Sequence, residues 1–141
     1  MRLFITGVDA DGTSRVVSSD EVEINSVAPG FAIGIPYNTT QTPPPARPAG
    51  NADLIDQFLA PGLARWMVVE QGPNTETPKH HTDTLDLETV LSGSVDLILD
   101  DGVHHLEAGD MVVMTGVDHA WKAGPDGYRM SAVLIGTPPP A

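Results

Sequence analysis

Short alternations of apolar and polar residues, interrupted by Gly, Pro and Asp, run along most of the chain. Residues 2 to 6 and 14 to 17 predict two strands, because Asp and Gly at residues 9 to 12 supply the turn between them. Residues 31 to 37 predict another strand. The prolines within residues 40 to 50 predict an irregular arm, since proline cannot donate a ladder hydrogen bond. An apolar stripe at helical spacing over residues 51 to 59 predicts a short helix or turn.

From Gly62 onward the apolar segments become shorter and almost regularly spaced. Strands are predicted over residues 64–71, 84–91, 94–99, 103–106, 111–114, 119–123 and 128–135, each bounded by turn-forming residues. Such a series is typical of a β-sandwich or β-barrel. We therefore expect one structural domain. Residues 62–137 would form its barrel core, and residues 1–61 would supply N-terminal strands, a Pro-rich arm and a short helix packed on it.

The composition favours the same class of fold. Of the 141 residues, 40% are hydrophobic and 18% are charged, so the chain can bury a core, and its 14 Gly and 13 Pro favour turns over long helices. A formal charge of -12 would repel phosphate groups, so we expect neither a nucleic acid nor a membrane as partner. The first residues lack the apolar region of a signal peptide, which predicts a cytoplasmic protein.

The candidate chemistry is concentrated between residues 78 and 121. All five histidines lie in this stretch, and the chain has no cysteine, so any metal would take histidine, carboxylate or water ligands. A histidine pair, His80 and His81, is followed by the carboxylates Asp86 and Glu88. Because strand residues alternate in direction, two β-rich segments that carry such groups can converge inside a barrel.

A second segment begins with Gly109 and Asp110, continues through Gly116 and ends in His119, followed by Ala and Trp. It resembles the second signature motif of the cupin superfamily, in that motif's shorter variant, and the likeness runs over roughly residues 66 to 136. The resemblance implies an all-β fold of the double-stranded β-helix, or jelly-roll, cupin barrel type. It also implies an N-terminal β arm, packed on the barrel or exchanged across a homodimer.

The first cupin motif has two His one residue apart, then Glu, then Gly, and Gly93 sets its carboxylate at Asp86 here. Asp therefore stands where Glu is usual. One spacing puts the two histidine positions at His80 and Thr82, and the other puts them at Lys79 and His81, so neither supplies two histidines. We favour the first spacing, because alternation then places residues 80, 82, 84, 86 and 88 on one face.

The resemblance implies a metal site that combines one of His80 and His81 with Asp86 and His119, or both histidines if a bulge turns them inward. Two His and one carboxylate suit Fe(II), and the same imidazoles could hold Zn, Ni or Mn. The alternative is a degenerate site without metal, in which Thr82 has replaced a ligand and the polar groups bind one another or water.

Catalysis without a metal is a second expectation for the same residues. Asp86 and Glu88 in a desolvated pocket would have separated pKa values, which leaves one as base and one as acid, with His119 beside them. The alternative for Glu88 is a solvated position or an ion pair with Lys79 or Arg129. We also predict a substrate pocket whose walls include Trp66, Thr82, Thr84 and Trp121.

We interpret the chain as an enzyme that acts on a small organic molecule inside the barrel. The reaction would be of the lyase, isomerase, decarboxylase or oxygenase type, assisted by a divalent metal if one binds. The rival interpretation is a non-catalytic ligand-binding or sensor barrel. Thr82 at a ligand position favours the rival, whereas the predicted convergence of His80, Asp86, Glu88 and His119 favours the enzyme.

Overall fold

The computed structural model describes residues 1–48 and 50–140 and confirms the all-β class. Its strands, in chain order, are β1 (Arg2–Val8), β2 (Ser14–Glu21), β3 (Ile24–Ala28), β4 (Phe31–Gly34), β5 (Asp53–Leu54), β6 (Ala64–Gln71), β7 (His80–His81), β8 (Thr84–Leu99), β9 (Gly102–Glu107), β10 (Met111–Met114) and β11 (Ala120–Gly136). Nothing within the described ranges forms a helix of the length and hydrophobicity needed to cross a bilayer.

Seven strands share one sheet, in the order β2-β1-β10-β8-β11-β6, with β9 paired to β8. β8 is long enough to pair with β10 through its first half and with β9 through its second half. β11 runs antiparallel to β8 along both halves and also pairs with β6. The path ends at β2 and β6, so hydrogen bonding does not close the sheet into a complete barrel.

The sequence predicted two strands over residues 84–91 and 94–99, but β8 is one strand that continues through a bend at Gly93. Its φ of +74° is a left-handed conformation, and a Cβ at this position would collide with the carbonyl of Gly127 on β11. The pairing register of β11 shifts between Ala123 and Tyr128. The turn signals therefore mark bends inside two long strands rather than breaks between separate ones.

The N-terminal hairpin is confirmed, since β1 and β2 are antiparallel neighbours. β1 also lies parallel to β10. Asp110 stabilises the start of β1, because its side chain accepts hydrogen bonds from the Arg2 backbone N–H at 3.0 Å and from the Arg2 guanidinium at 2.8 Å. The strand predicted over residues 31–37 ends at Gly34 and pairs only with β3, as a separate and largely exposed hairpin.

A helix or turn was predicted over residues 51–59, and the structure has no helix there. Asp53–Leu54 forms β5, which pairs in parallel with β7. The backbone N–H groups of Asn51 and Ala52 donate to Asp118 Oδ2 at 2.7 and 3.2 Å. Tertiary contacts of this kind override a weak local preference for helix.

The apolar core is formed mainly by side chains of β8, β9, β10 and β11, with Phe4 of β1. Its fully buried side chains include Val90, Val95, Leu97, Leu106, Val112, Met114 and Val117. Every second residue of β8 and β11 faces inward. Most of these inward residues are apolar and form the core, but Thr84, Asp86 and Glu88 on β8 are polar. This row of polar residues forms the candidate site.

Candidate functional site

A backbone bridge between His80 and His119 organises the site. The N–H of each residue donates to the carbonyl of the other at 2.9 Å, which places both side chains on one face. The ring centroids are 4.4 Å apart. Each ring contacts a carbonyl through Nδ1, at Pro78 and Val117 respectively, both at 2.8 Å. A carbonyl only accepts, so Nδ1 carries the hydrogen and Nε2 of the neutral ring keeps its lone pair.

Both imidazoles line a cavity of about 540 Å³ between β6, β8 and β11. Six polar or aromatic side chains at this cavity are at least nine-tenths buried: Thr82, Asp86, Glu88, His119, Trp121 and Tyr128. Its apolar wall is made by Met67, Val69, Met130 and Leu134. A mostly apolar chamber with a few convergent polar groups is the usual form of a small-molecule site.

Asp86 and Glu88 stand two residues apart on β8 and therefore face the same way. Burial raises the pKa of Asp86 to about 7, against a lowering by the hydrogen bond from Thr84. Burial raises the pKa of Glu88 well above its ordinary value, and the charge of Asp86 adds to this rise. At neutral pH Asp86 is thus divided between its acid and its base form, while the upward shift of the Glu88 pKa favours the acid form of Glu88.

A row of hydroxyls supports Asp86. Thr84 Oγ1 donates to Asp86 Oδ1 at 2.5 Å, and Thr84 Oγ1 and Thr82 Oγ1 are 2.8 Å apart. Because Thr84 gives its one hydroxyl hydrogen to Asp86, Thr82 must be the donor of the second bond. Glu88 has no comparable support, and its buried Oε2 lacks a hydrogen-bond partner among the described residues.

His119 and Tyr128 have opposite electrostatic character. Burial, and after it the neighbouring His80, lowers the pKa of His119 to about 4, so His119 is a neutral acceptor at pH 7. Burial and the nearby Glu88 raise the pKa of Tyr128, which keeps its hydroxyl protonated. That hydroxyl donates to Gln71 Oε1 at 2.9 Å. Trp121 packs edge-on against the His119 ring, with centroids 5.8 Å apart.

The donor set does not fit a metal centre with three protein ligands. His80 and His119 are placed as a pair with lone pairs on Nε2, but no group of three His, Asp or Glu side chains able to hold a metal occurs among residues 1–48 and 50–140. Thr82 stands at the position where the motif would supply a further histidine.

The structure brings together most, but not all, of the predicted site residues. The cavity contains His80, Thr82, Asp86, Glu88, His119 and Trp121. Thr84 is buried behind this surface and acts through Asp86. His104 and His105 lie outside the cavity and contact Asp101 and Asp96.

Two predicted positions are corrected. Trp66 was expected in the pocket wall, but its side chain is 80% exposed and its indole N–H donates to Ser131 on the outer face of the sheet. His81 was a candidate metal ligand, but it does not line the cavity, and its Nδ1 lies 3.0 Å from Asp118 Oδ1. Both corrections follow from strand parity, since neighbouring residues point to opposite faces.

The sequence reasoning missed Tyr128 and Gln71. They are direct partners in the β11–β6 pairing. The alternation of Met67, Val69 and Gln71 along β6 was a usable signal for the inner face. No local pattern showed that Tyr128 would lie opposite.

The chain matches no established family profile. The Phomopsin biosynthesis cluster protein C' of Diaporthe leptostromiformis is 31% identical over 133 residues, which cover 84% of this chain and 68% of that protein. The Oryzines biosynthesis cluster protein J of Aspergillus oryzae is 33% identical over 66 residues, which cover 46% of this chain and 37% of that protein.

Solved structures with a similar fold include the polyketide cyclase RemF from Streptomyces resistomycificus, at 28% identity and a TM-score of 0.47. The similarity to RemF covers 51% of this chain and 54% of that chain, which is about half of each. A cupin-2 domain containing protein from Shewanella frigidimarina is 23% identical with a TM-score of 0.46, over 51% of this chain and 70% of that chain.

Proposed function

We propose that this chain, which has a small cupin-type fold, is an enzyme that transfers protons on a small organic molecule bound inside its barrel. One observation carries the proposal. Asp86 and Glu88 are buried side by side in the cavity with different hydrogen bonding, so one is available as a base and the other as an acid near neutral pH.

Asp86 is the base in this proposal. Its carboxylate removes a proton from a carbon next to a carbonyl group of the substrate, and the electron pair of that C–H bond moves into a new C=C bond. Glu88 donates its proton to the carbonyl oxygen, so that an enol forms without a free oxyanion. The threonine row holds Asp86 in place, since Thr84 donates to it.

The second half of the reaction returns the proton. If the substrate is an α-hydroxy ketone, Asp86, now protonated, delivers the proton to the former carbonyl carbon. The adjacent hydroxyl returns a proton to Glu88 as its O–H electron pair forms the new C=O bond, which completes an isomerisation. Alternatively the enol returns its O–H proton to Glu88 and re-forms the C=O bond, while Asp86 protonates a β-hydroxyl group whose C–O bond breaks, so that water leaves and an elimination is complete. Neutral His119 accepts a hydrogen bond from a substrate hydroxyl, and Tyr128, whose hydroxyl hydrogen goes to Gln71, offers its oxygen as a further acceptor.

The names of the two fungal relatives are consistent with this proposal, because both describe proteins of biosynthesis clusters. Work on a small molecule is what such a context suggests for this chain. The alternative is a barrel that binds a ligand without transforming it. The observation that favours this alternative is the absence of a third metal donor beside His80 and His119 among the described residues.

Deuterium exchange tests the proposal without knowledge of the full reaction. The protein is incubated in D2O with a panel of small neutral ketones and hydroxy ketones, and NMR follows deuterium entering the carbon next to the carbonyl. We expect catalysed exchange that Asp86→Asn lowers by about 10²–10⁴-fold. Asp126→Asn, an exposed site on the β11 bend, is the matched control and should leave the exchange unchanged.

Two results would refute the enzyme. The first is exchange that Asp86→Asn and Glu88→Gln leave at the wild-type rate, because the carboxylates would then not be the catalytic groups. The second is saturable binding of panel compounds without exchange, which would assign the barrel to ligand binding.

A further inference from the structure

We propose that the cavity selects molecules that carry no anionic group and that offer N–H or O–H donors to its buried acceptors. The inference rests on the proposed function in using the same cavity, but it concerns what binds rather than what reacts. It deepens that function by naming a substrate class.

All the formally charged side chains that line the cavity are acidic, namely Glu70, Glu76, Asp86 and Glu88. The lining includes no Lys or Arg. Arg129 pairs with Glu70 through Nε and Oε1 at 2.7 Å, but it does not itself line the cavity. A carboxylate or phosphate in this chamber would be desolvated without a lysine or arginine as counter-charge. The formal charge of -12 adds a long-range repulsion against anions.

The polar groups deep in the cavity need donors. Glu88 is 7% exposed, and its carboxyl oxygen Oε2 has no hydrogen-bond partner among the described residues. Even a protonated carboxyl keeps an acceptor oxygen. His80 and His119 add two further acceptors, because their Nδ1 atoms are already used by backbone carbonyls. A bound molecule that supplies donors would satisfy groups that this chain leaves unpaired.

The apolar side chains of the cavity wall favour an apolar or aromatic framework in the bound molecule. Met67, Val69, Met130 and Leu134 are apolar, and the Trp121 ring stands beside His119. An apolar or aromatic body would replace water against this wall. The inferred class is therefore an alcohol, phenol or amine on an apolar framework, without carboxylate or phosphate.

The test uses four probes with one phenyl body: 2-phenylethylamine, 2-phenylethanol, its methyl ether, and 3-phenylpropionate. The protein carries Trp66→Phe, which leaves Trp121 as its single tryptophan and so makes fluorescence report on the cavity. Trp66 lies on the outer face, so its replacement leaves the cavity wall intact. At pH 7 we expect the amine and the alcohol to bind at least about tenfold more tightly than the ether and the carboxylate.

A second variant links this selectivity to Glu88. Glu88→Leu, made in the same Trp66→Phe background, removes both carboxyl oxygens at similar side-chain size and should remove most of the preference for the alcohol over the ether. Glu107→Gln, on the exposed end of β9, is the matched control and should keep the preference.

The outcomes separate this inference from the proposed function. Binding of 3-phenylpropionate as tight as that of the alcohol overturns the exclusion of anions, and equal binding of ether and alcohol overturns the need for a donor. Failure of all four probes to change the Trp121 fluorescence overturns the substrate class. Deuterium exchange measures catalysis alone, and the Trp121 fluorescence measures binding alone. The proposed proton transfer can therefore be refuted while the ligand selectivity is confirmed, or the selectivity refuted while proton transfer is confirmed.

Discussion

Asp86 and Glu88 lie on the same face of β8, but Asp86 receives a hydrogen bond from the Thr84 hydroxyl at 2.5 Å. Glu88 is equally buried, and within residues 1–48 and 50–140 its Oε2 has no hydrogen-bond partner. Two carboxyl groups of similar intrinsic acidity thus have unequal surroundings. In the proposed mechanism, this inequality, rather than the number of acidic residues, makes Asp86 the base and Glu88 the acid.

The first prediction concerns stability and pH. Burial raises the pKa of Asp86 from 3.8 to about 7, so the folded protein binds this proton more tightly than the unfolded chain does. The contribution of Asp86 to stability is therefore greatest at low pH and is lost as pH rises toward about 7. When the pH rises from about 5 to about 8, wild type should lose about 3 kcal/mol more of its unfolding free energy than Asp86→Asn loses.

Urea denaturation at both pH values measures this difference. The low pKa of His119 gives a pH dependence of opposite sign, since stability is lost as pH falls, but it is present in both proteins and largely cancels in the comparison. Asp126→Asn should show no such difference, because this residue is exposed. Parallel pH profiles for Asp86→Asn and wild type would contradict the raised pKa.

The second prediction concerns the threonine row. Thr84→Val removes the hydrogen bond that lowers the pKa of Asp86, so that pKa should move further up. Carbon-13 NMR of labelled Asp carboxyl groups follows the titration directly and needs no substrate. Thr82→Val should give a smaller shift in the same direction, because Thr82 acts through Thr84. A downward shift in Thr84→Val would show that Thr84 does not donate to the carboxylate.

The third prediction concerns metal. Two imidazoles without a third donor bind a divalent ion weakly, so we expect the purified protein to hold no stoichiometric metal and to keep its melting temperature after dialysis against EDTA. Elemental analysis and thermal denaturation measure these two quantities. A stoichiometric metal that disappears in His80→Ala but remains in His104→Ala would instead establish a metal site at the His80–His119 pair.

The fourth prediction concerns the bend in β8. Gly109→Ala, at φ +94° with no atom near the new Cβ, should lower the unfolding free energy by about 1–2 kcal/mol through backbone strain alone. Gly93→Ala adds a collision with the Gly127 carbonyl and should lower it by at least about 3 kcal/mol. Chemical denaturation compares the two. Equal losses would mean that the strand can shift at Gly93.

Much of the fold could be predicted from the sequence, because strand alternation and turn chemistry are local. The hairpin of β1 and β2, the strand over residues 64–71 and the strand over residues 111–114 are confirmed. The same parity predicted that Asp86 and Glu88 share a face, which the cavity confirms. Their catalytic roles stay predictions. The helix alternative over residues 51–59 was wrong, because Asp118, distant in sequence, binds the backbone N–H groups of Asn51 and Ala52, and Asp53–Leu54 pairs with β7.

The sequence by itself determined the strands and which residues alternate together, since a period of two is a property of neighbouring residues. Only the tertiary structure decided which strands lie opposite one another. It paired His80 with His119, set Tyr128 beside Gln71 and put Trp66 on the outer face. It also decided which buried carboxyl receives a donor. The reason is physical: burial and electrostatic environment depend on groups far apart in the chain, whose separation no local pattern specifies.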